Sequence, residues 1–127
     1  FVNFMTLNAR KLEKLKINKE QQDDLLMMNI IGEIDASSSL DLDEAIRHAL
    51  EDGYAKILVD CGELNYISSA GLGVFMSYIE DFKSKNVRFS FFNMSSNVYS
   101  IFKILGFHKL LFIADSENEA KIYLNEA

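Results

Sequence analysis

Tyr66-Ile67-Ser68-Ser69-Ala70-Gly71-Leu72-Gly73 is the stretch around which the rest of the chain organises. Just upstream, Ile57-Leu58-Val59-Asp60-Cys61 is a run of strand formers, and the residues after Cys61 read as a short polar turn. Three apolar residues in a row suit a strand buried on both faces. Downstream, Leu72, Phe75, Met76, Ile79 and Phe82 recur at helical spacing, while Glu80, Asp81, Lys83 and Lys85 fall on the opposite side. A helix is therefore expected over residues 69–84. Two serines thus stand where a strand unit hands over to a helix. The first amides of a helix have no internal partner, and its dipole makes that end partly positive. A neutral serine there is a cap; a phosphoserine there is a stabilised anion.

The pattern extends in both directions. Residues 11–17 alternate loosely and suggest an edge strand, residues 18–24 are polar and read as a turn, and residues 25–31 form a continuous apolar run ahead of Gly32. Residues 33–39 connect to a helix with Leu42, Ala45, Ile46, Ala49 and Leu50 on one face, ended by Gly53. Ser38 with Asp41 has the spacing of a weak capping box. Beyond the central stretch, residues 87–92 read as a strand. Ser95 and Ser96 then start a helix carrying Val98, Ile101, Phe102 and Leu105, which Gly106 closes. Residues 110–113 suggest a short strand, and Ser116 with Glu119 is a capping box opening a last helix packed through Ala120, Tyr123 and Leu124. The order is ββαβαβαβα. Its alternation from residue 56 onward implies crossovers onto a parallel or mixed sheet, hence an α/β fold.

The chain has 127 residues, enough for one domain with its own core. A net charge of −6 and a pI near 4.8 argue against a nucleic-acid partner. Arg10, Lys11, Lys14, Lys16 and Lys19 are interleaved with acids and read as a solvated edge, a poor anchor for a membrane surface. Cys61 is the single cysteine, so no intrachain disulfide forms. Apolar runs are too short to span a bilayer, and no secretion signal is apparent. A cytoplasmic location is expected. Residues 1–10 are taken as an N-terminal extension whose first four residues are a remnant ahead of Met5, and residues 11–127 as the domain.

Catalytic constellations do not assemble from these residues. Gly71 and Gly73 give a lone G-x-G, but Met76 stands where a dinucleotide loop needs glycine, and no phosphate-binding lysine motif occurs. A nucleotide-handling enzyme rests on that pair alone. Neither Ser68 nor Ser69 lies in G-x-S-x-G, and His48 and His108 are far from both in sequence. Asp41, Asp43 and Glu44 cluster where acids complement a helix dipole, and Cys61 ends a buried strand. No catalytic residue, metal site or cofactor is expected.

The segment from Leu58-Val59-Asp60 to Tyr66-Ile67-Ser68-Ser69-Ala70-Gly71-Leu72-Gly73-Val74 resembles the central motif of the STAS family, whose soluble members include bacterial anti-sigma factor antagonists. In them a strand leads to a D-S-[ST]-G-L-G turn whose first serine is phosphorylated. Gly32-Glu33-Ile34-Asp35 resembles the family's G-E-[LI]-D element. Asn93 and the helix ending at Leu105-Gly106-Phe107 resemble its late segment. The resemblance spans about residues 11–125. It implies a single STAS-like domain of the α/β class, with a mixed, mostly parallel sheet and helices packed mainly on one side.

Aligning Gly71 with the motif glycine places Ser69 on the phosphoacceptor and Ala70 on the next Ser/Thr. Ser68 then falls where many members have Asp, and is the second choice of acceptor. Asp35 aligns with an acidic residue that lies near the acceptor in the family. The implied partner surface comprises Asp35, Ser68, Ser69, Gly71 and Leu72. The implied partner is an anti-sigma factor that is also a serine kinase, with a serine phosphatase to reverse the switch. Nucleic acid and direct membrane insertion are not implied. The alternative is a constitutive interaction subunit of a lipid-transport or signalling complex, without phosphorylation, in which exposed Leu72 and Val74 around Ser69 serve the constitutive interface.

Overall fold

The computed structural model describes residues 14–126. Among them, five strands lie in one sheet in the order in which they occur in the chain: β1 (Leu15–Gln22), β2 (Leu25–Ile34), β3 (Lys56–Ile67), β4 (Arg88–Phe92) and β5 (Phe112–Ile113). β1 and β2 form an antiparallel hairpin, and each later pairing is parallel. The sheet is the mixed, mostly parallel one expected.

Each parallel step requires a crossover. Helix α1 (Ser39–Glu51) joins β2 to β3. Helices α2 (Ser69–Ser77) and α3 (Ile79–Ser84) join β3 to β4. Helix α4 (Ser96–Ile104) and a 3₁₀ turn (Phe107–Lys109) join β4 to β5. Because the strand order advances in one direction, right-handed crossovers put all of these helices on the same face. Among the described residues, only α5 (Glu117–Asn125) packs on the other face.

The side-chain alternation of the strands serves both layers. Ile57 and Val59 enter the larger core, and Leu58 between them enters the smaller one with Phe92, Ala120 and Leu124. In β4, Phe89 and Phe91 meet Phe75 and Phe82 at centroid separations of 4.8–5.8 Å, and Phe102 packs against Phe91 at 5.8 Å. Ser90, turned the other way, is fully buried and donates its hydroxyl to the carbonyl of Ala120 at 3.1 Å, so its burial is satisfied.

Four local expectations are corrected. β1 continues through residues 18–22, which read as a turn, and the reversal is confined to Asp23 and Asp24. The polar side chains of these residues are those of an edge strand, and the apolar β2 beside them supplies a full-length pairing partner. Residues 11–13 of the expected strand lie outside the described residues. The polar turn after Cys61 does not exist: β3 runs on through Gly62, Glu63 and Asn65 to Ile67, paired with β2. Two register shifts give β3 an extra residue each, and the Asp60 carboxylate accepts the Gly62 N–H at 2.9 Å within the first. The helix expected over residues 69–84 breaks at Tyr78, whose hydroxyl donates to Asp43 Oδ1 at 2.8 Å and thereby ties the break to α1. Finally, the last strand holds only Phe112 and Ile113, because the N–H groups of Leu110 and Leu111 turn back to the carbonyl of Phe107 at 3.0 Å and do not join the sheet.

Candidate functional site

The ends of β2 and β3 build the site. Ile34 and Ile67 are the last paired residues of the two parallel strands, and both are fully buried. The next residues, Asp35 and Ser68, therefore emerge side by side at the carboxyl ends of adjacent strands, the usual position for a site in an α/β sheet. The N–H of Ser68 donates to the carbonyl of Ile34 at 2.8 Å, extending the ladder by one bond.

Ser68 is extended, with φ −88° and ψ 172°, and is the N-cap of α2. Its hydroxyl oxygen accepts the N–H of Gly71 at 3.3 Å, and its carbonyl accepts the N–H of Leu72 at 3.0 Å. The cap role is thus taken by the first serine and not the second. Ser69 is the first helical residue; it and Ala70 are exposed, while Ser68 is only partly so.

Beneath the serines, Gly71 and Leu72 are buried, Leu72 completely. A methyl group on Gly71 would lie 2.5 Å from Ile34 Cγ2 and 2.9 Å from Ile67 Cγ1. This corrects the expectation that both residues offer surface to a partner: they set how closely α2 lies on the strand ends. Val74 is only partly exposed. The large apolar side chains that are exposed at this end are Leu40, at 73 %, in the first turn of α1, and Tyr66, at 45 %, beside the last pair of β3. Sequence could have signalled both. Leu40 falls outside the stripe made by Leu42, Ala45, Ile46 and Ala49, and Tyr66 is next to Ile67, so in a strand the two face opposite ways.

Asp35 organises the loop between β2 and α1. Its Oδ1 accepts the amide and hydroxyl of Ser37 at 2.9 and 2.6 Å and the amide of Ser38 at 3.1 Å, and its Oδ2 accepts Lys14 Nζ at 3.0 Å. These bonds, those from Ser37 foremost and then the Lys14 ammonium, hold its carboxyl well below the usual carboxylate range. The same pair raises the pKa of Lys14. Ser38 does not cap α1 as expected. Its hydroxyl donates to the carbonyl of Glu33 at 2.9 Å and accepts the N–H of Asp35 at 3.0 Å, closing the loop on itself. Sequence spacing could not show that the acidic residue, not the serine, would gather the free amides.

Among the described residues no group of three His, Cys, Asp or Glu side chains is placed to hold a metal, and no helix is long and apolar enough to cross a membrane. The site is a rigid ledge: one exposed hydroxyl on the first turn of a helix, a second that caps it, and a carboxylate locked beside them.

Known proteins share this architecture. The family model described as "STAS domain" matches residues 16–120. An anti-sigma-B factor antagonist of Listeria monocytogenes is 28% identical over 102 residues, covering 80% of this chain and 89% of the relative. The crystal structure of an anti-sigma factor antagonist from Mycobacterium paratuberculosis superposes with a TM-score of 0.82 at 17% identity, over 91% of this chain and 97% of that one. The Bacillus cell fate determinant SpoIIAA in its phosphorylated form superposes with a TM-score of 0.63 at 19% identity, over 84% of this chain and 97% of that one.

Proposed function

The chain belongs to the STAS domain family, and on that premise we propose that it is an anti-sigma factor antagonist switched by phosphorylation of Ser69. In the unphosphorylated state it binds an anti-sigma factor that is also a serine kinase, in the cytoplasm, and so frees a sigma factor for transcription. A serine phosphatase resets it. It acts as a binding module and not as a catalyst, and Asp35, Ser68 and Ser69 belong to the contact surface.

The observation that carries this reading is the division of labour between the two serines. Ser68 is part-buried and committed to Gly71 N–H, whereas Ser69 is exposed on the first turn of α2 with the unpartnered amides of that turn around it. A phosphate on Ser69 adds about −1.5 to −2 charges at pH 7, which the helix end tolerates within this domain. A closely fitted, acidic partner surface does not tolerate them. Release therefore needs no refolding, only local repulsion and loss of fit. The names of the Listeria and Mycobacterium relatives, and the phosphorylated form of SpoIIAA, agree with this assignment.

Peptide mass spectrometry of the protein from growing and stressed cells tests it. Phosphate on this segment that survives Ser68→Ala and disappears in Ser69→Ala is the expected result. A Ser69→Asp protein that binds the kinase as tightly as wild type would overturn the switch.

A further inference from the structure

The negative charge of this chain is unevenly spread. Between Asp81 and Asp115 there is no Asp or Glu, yet Lys83, Lys85, Arg88, Lys103 and Lys109 all lie there. The fold gathers these cations at one corner: the ends of α3 and α4, the start of β4 and the 3₁₀ turn. That corner is at the amino-terminal end of the parallel strands, opposite the ledge that carries Ser69. It also bears Ile104, exposed at 80 %, with Leu105 at 49 % and Leu110 at 55 %.

Ordinary helix chemistry explains part of this. Cations in the last turns of α3 and α4 complement the helix dipoles, which accounts for Lys83 and Lys103. It does not account for the missing carboxylates or for three exposed aliphatic side chains. Arg88 is engaged: it lies 3.7 Å from the Glu126 carboxylate and 4.2 Å from the centroid of the Tyr123 ring. Lys83, Lys85, Lys103 and Lys109 make no ion pair among the described residues. Beside them β5 stops short. Ser90 and Phe91 of β4 pair with it, but Arg88 and Phe89 do not, and a cleft of about 480 Å³ opens there. Phe82, Phe89, Leu110 and Leu111 line it; its charged residues are Lys83 and the Arg88–Glu126 pair, so among the described residues Lys83 is its unpaired charge.

We infer that this corner is a second docking face whose occupant is a protein segment bearing carboxylates and apolar side chains, in the manner of an acidic amphipathic helix. The sign of the patch selects an acidic partner. The cleft selects a protein over a bilayer, because a lipid surface presents no side chain to fill a concavity. The face stands at the other end of the sheet from Ser69, so a phosphate there leaves it unchanged. The chain can then keep one partner while it releases another.

The test is a titration of the isotope-labelled full chain with a synthetic helical peptide of Glu and Leu, read by amide chemical shifts. Vesicles of phosphatidylcholine with phosphatidylglycerol, and dilution of the protein alone, are the parallel arms. The expected result is shift changes confined to residues 83–112, with affinity falling about tenfold in Lys103→Glu/Lys109→Glu and by a similar factor on raising the salt. Ile104→Ser/Leu105→Ser weakens it too, and Ser69→Asp does not. All of these positions are exposed, and the amide spectrum reports whether each variant folds. Absence of shifts in this stretch, or equal affinity in the charge-reversed variant, overturns the inference. Vesicles perturbing these amides where the peptide does not would assign the face to a membrane. Shifts that move on dilution alone would assign it to a second copy of the chain; either result overturns the proposal.

Discussion

Gly71 and Ile34 are in such close contact that a methyl group on the glycine would stand 2.5 Å from Ile34 Cγ2. The helix that presents Ser69 is therefore seated directly on the last residue of β2, and its height above the sheet is set by the absence of a side chain. Gly71→Ala is expected to destabilise the protein by roughly 1–3 kcal/mol through overpacking. Gly73→Ala, in the same helix with nothing within 4 Å, is expected to be neutral or to stabilise by about 0.5–1 kcal/mol. Urea denaturation of the two variants separates packing from helix propensity.

The two serines are expected to differ in stability as they do in exposure. Ser68→Ala removes the cap of α2 and costs about 1 kcal/mol. Ser69→Ala removes an exposed hydroxyl and changes stability by less than about 0.5 kcal/mol. Thermal unfolding of both variants checks this without any partner.

Asp35 confers a pH dependence with a definite sign. Its folded-state pKa is depressed by the bonds from Ser37 and Lys14, so the stability it contributes is fully present above the unfolded carboxylate value, about 4, and is lost as pH falls through the folded value. The difference in Tm between wild type and Asp35→Asn is expected to be constant from about pH 5 to 8 and to shrink below about pH 4. A difference that widened on acidification would contradict the network around this residue.

Tyr78→Phe is expected to cost roughly 1–3 kcal/mol, because the hydroxyl that joins the α2–α3 break to Asp43 is lost and the Asp43 carboxylate loses its donor. The tyrosine's own ionisation is pushed up to about 12 by burial and by Asp43, so ultraviolet titration of this residue lags behind exposed tyrosines.

Cys61 is buried, and its thiol pKa is raised by desolvation and by the neighbouring Asp60. A thiol reagent at neutral pH is expected to leave the native protein unmodified and to label it on unfolding.

Periodicity made most of the fold readable. The run Ile57-Leu58-Val59 announced a strand with two covered faces, and the Phe75 and Phe82 spacing announced the helical face that meets β4. The errors arose where a distant partner overrides local character. Gly62, Glu63 and Asn65 look like a turn, and become strand only because β2 lies alongside them. Tyr78 looks like an ordinary helical residue, and interrupts the helix where its hydroxyl meets an aspartate 35 residues earlier. At the site, the motif located Asp35, Ser68 and Ser69 on one ledge. Helical periodicity already set Leu72 in the inward stripe of its helix and left Leu40 outside the stripe of α1, as their burial bears out; the motif, which counts Leu72 with the partner surface, pointed the other way.

The strand order that repeats the chain order also dictates how the sheet can form. Every strand finds its neighbour in the segment just made, so no pairing has to wait for a distant part of the polypeptide, and loop-closure costs stay low. The sheet can therefore grow edge by edge as the chain emerges from the ribosome, from the β1–β2 hairpin outward. One layer is the exception. Leu58 and Phe92 point to a face that, among the described residues, only α5 covers, so until that helix arrives a nascent chain carries an apolar stripe in the open. The interval between the synthesis of Phe92 and that of Leu124 is when this stripe is open to wrong partners.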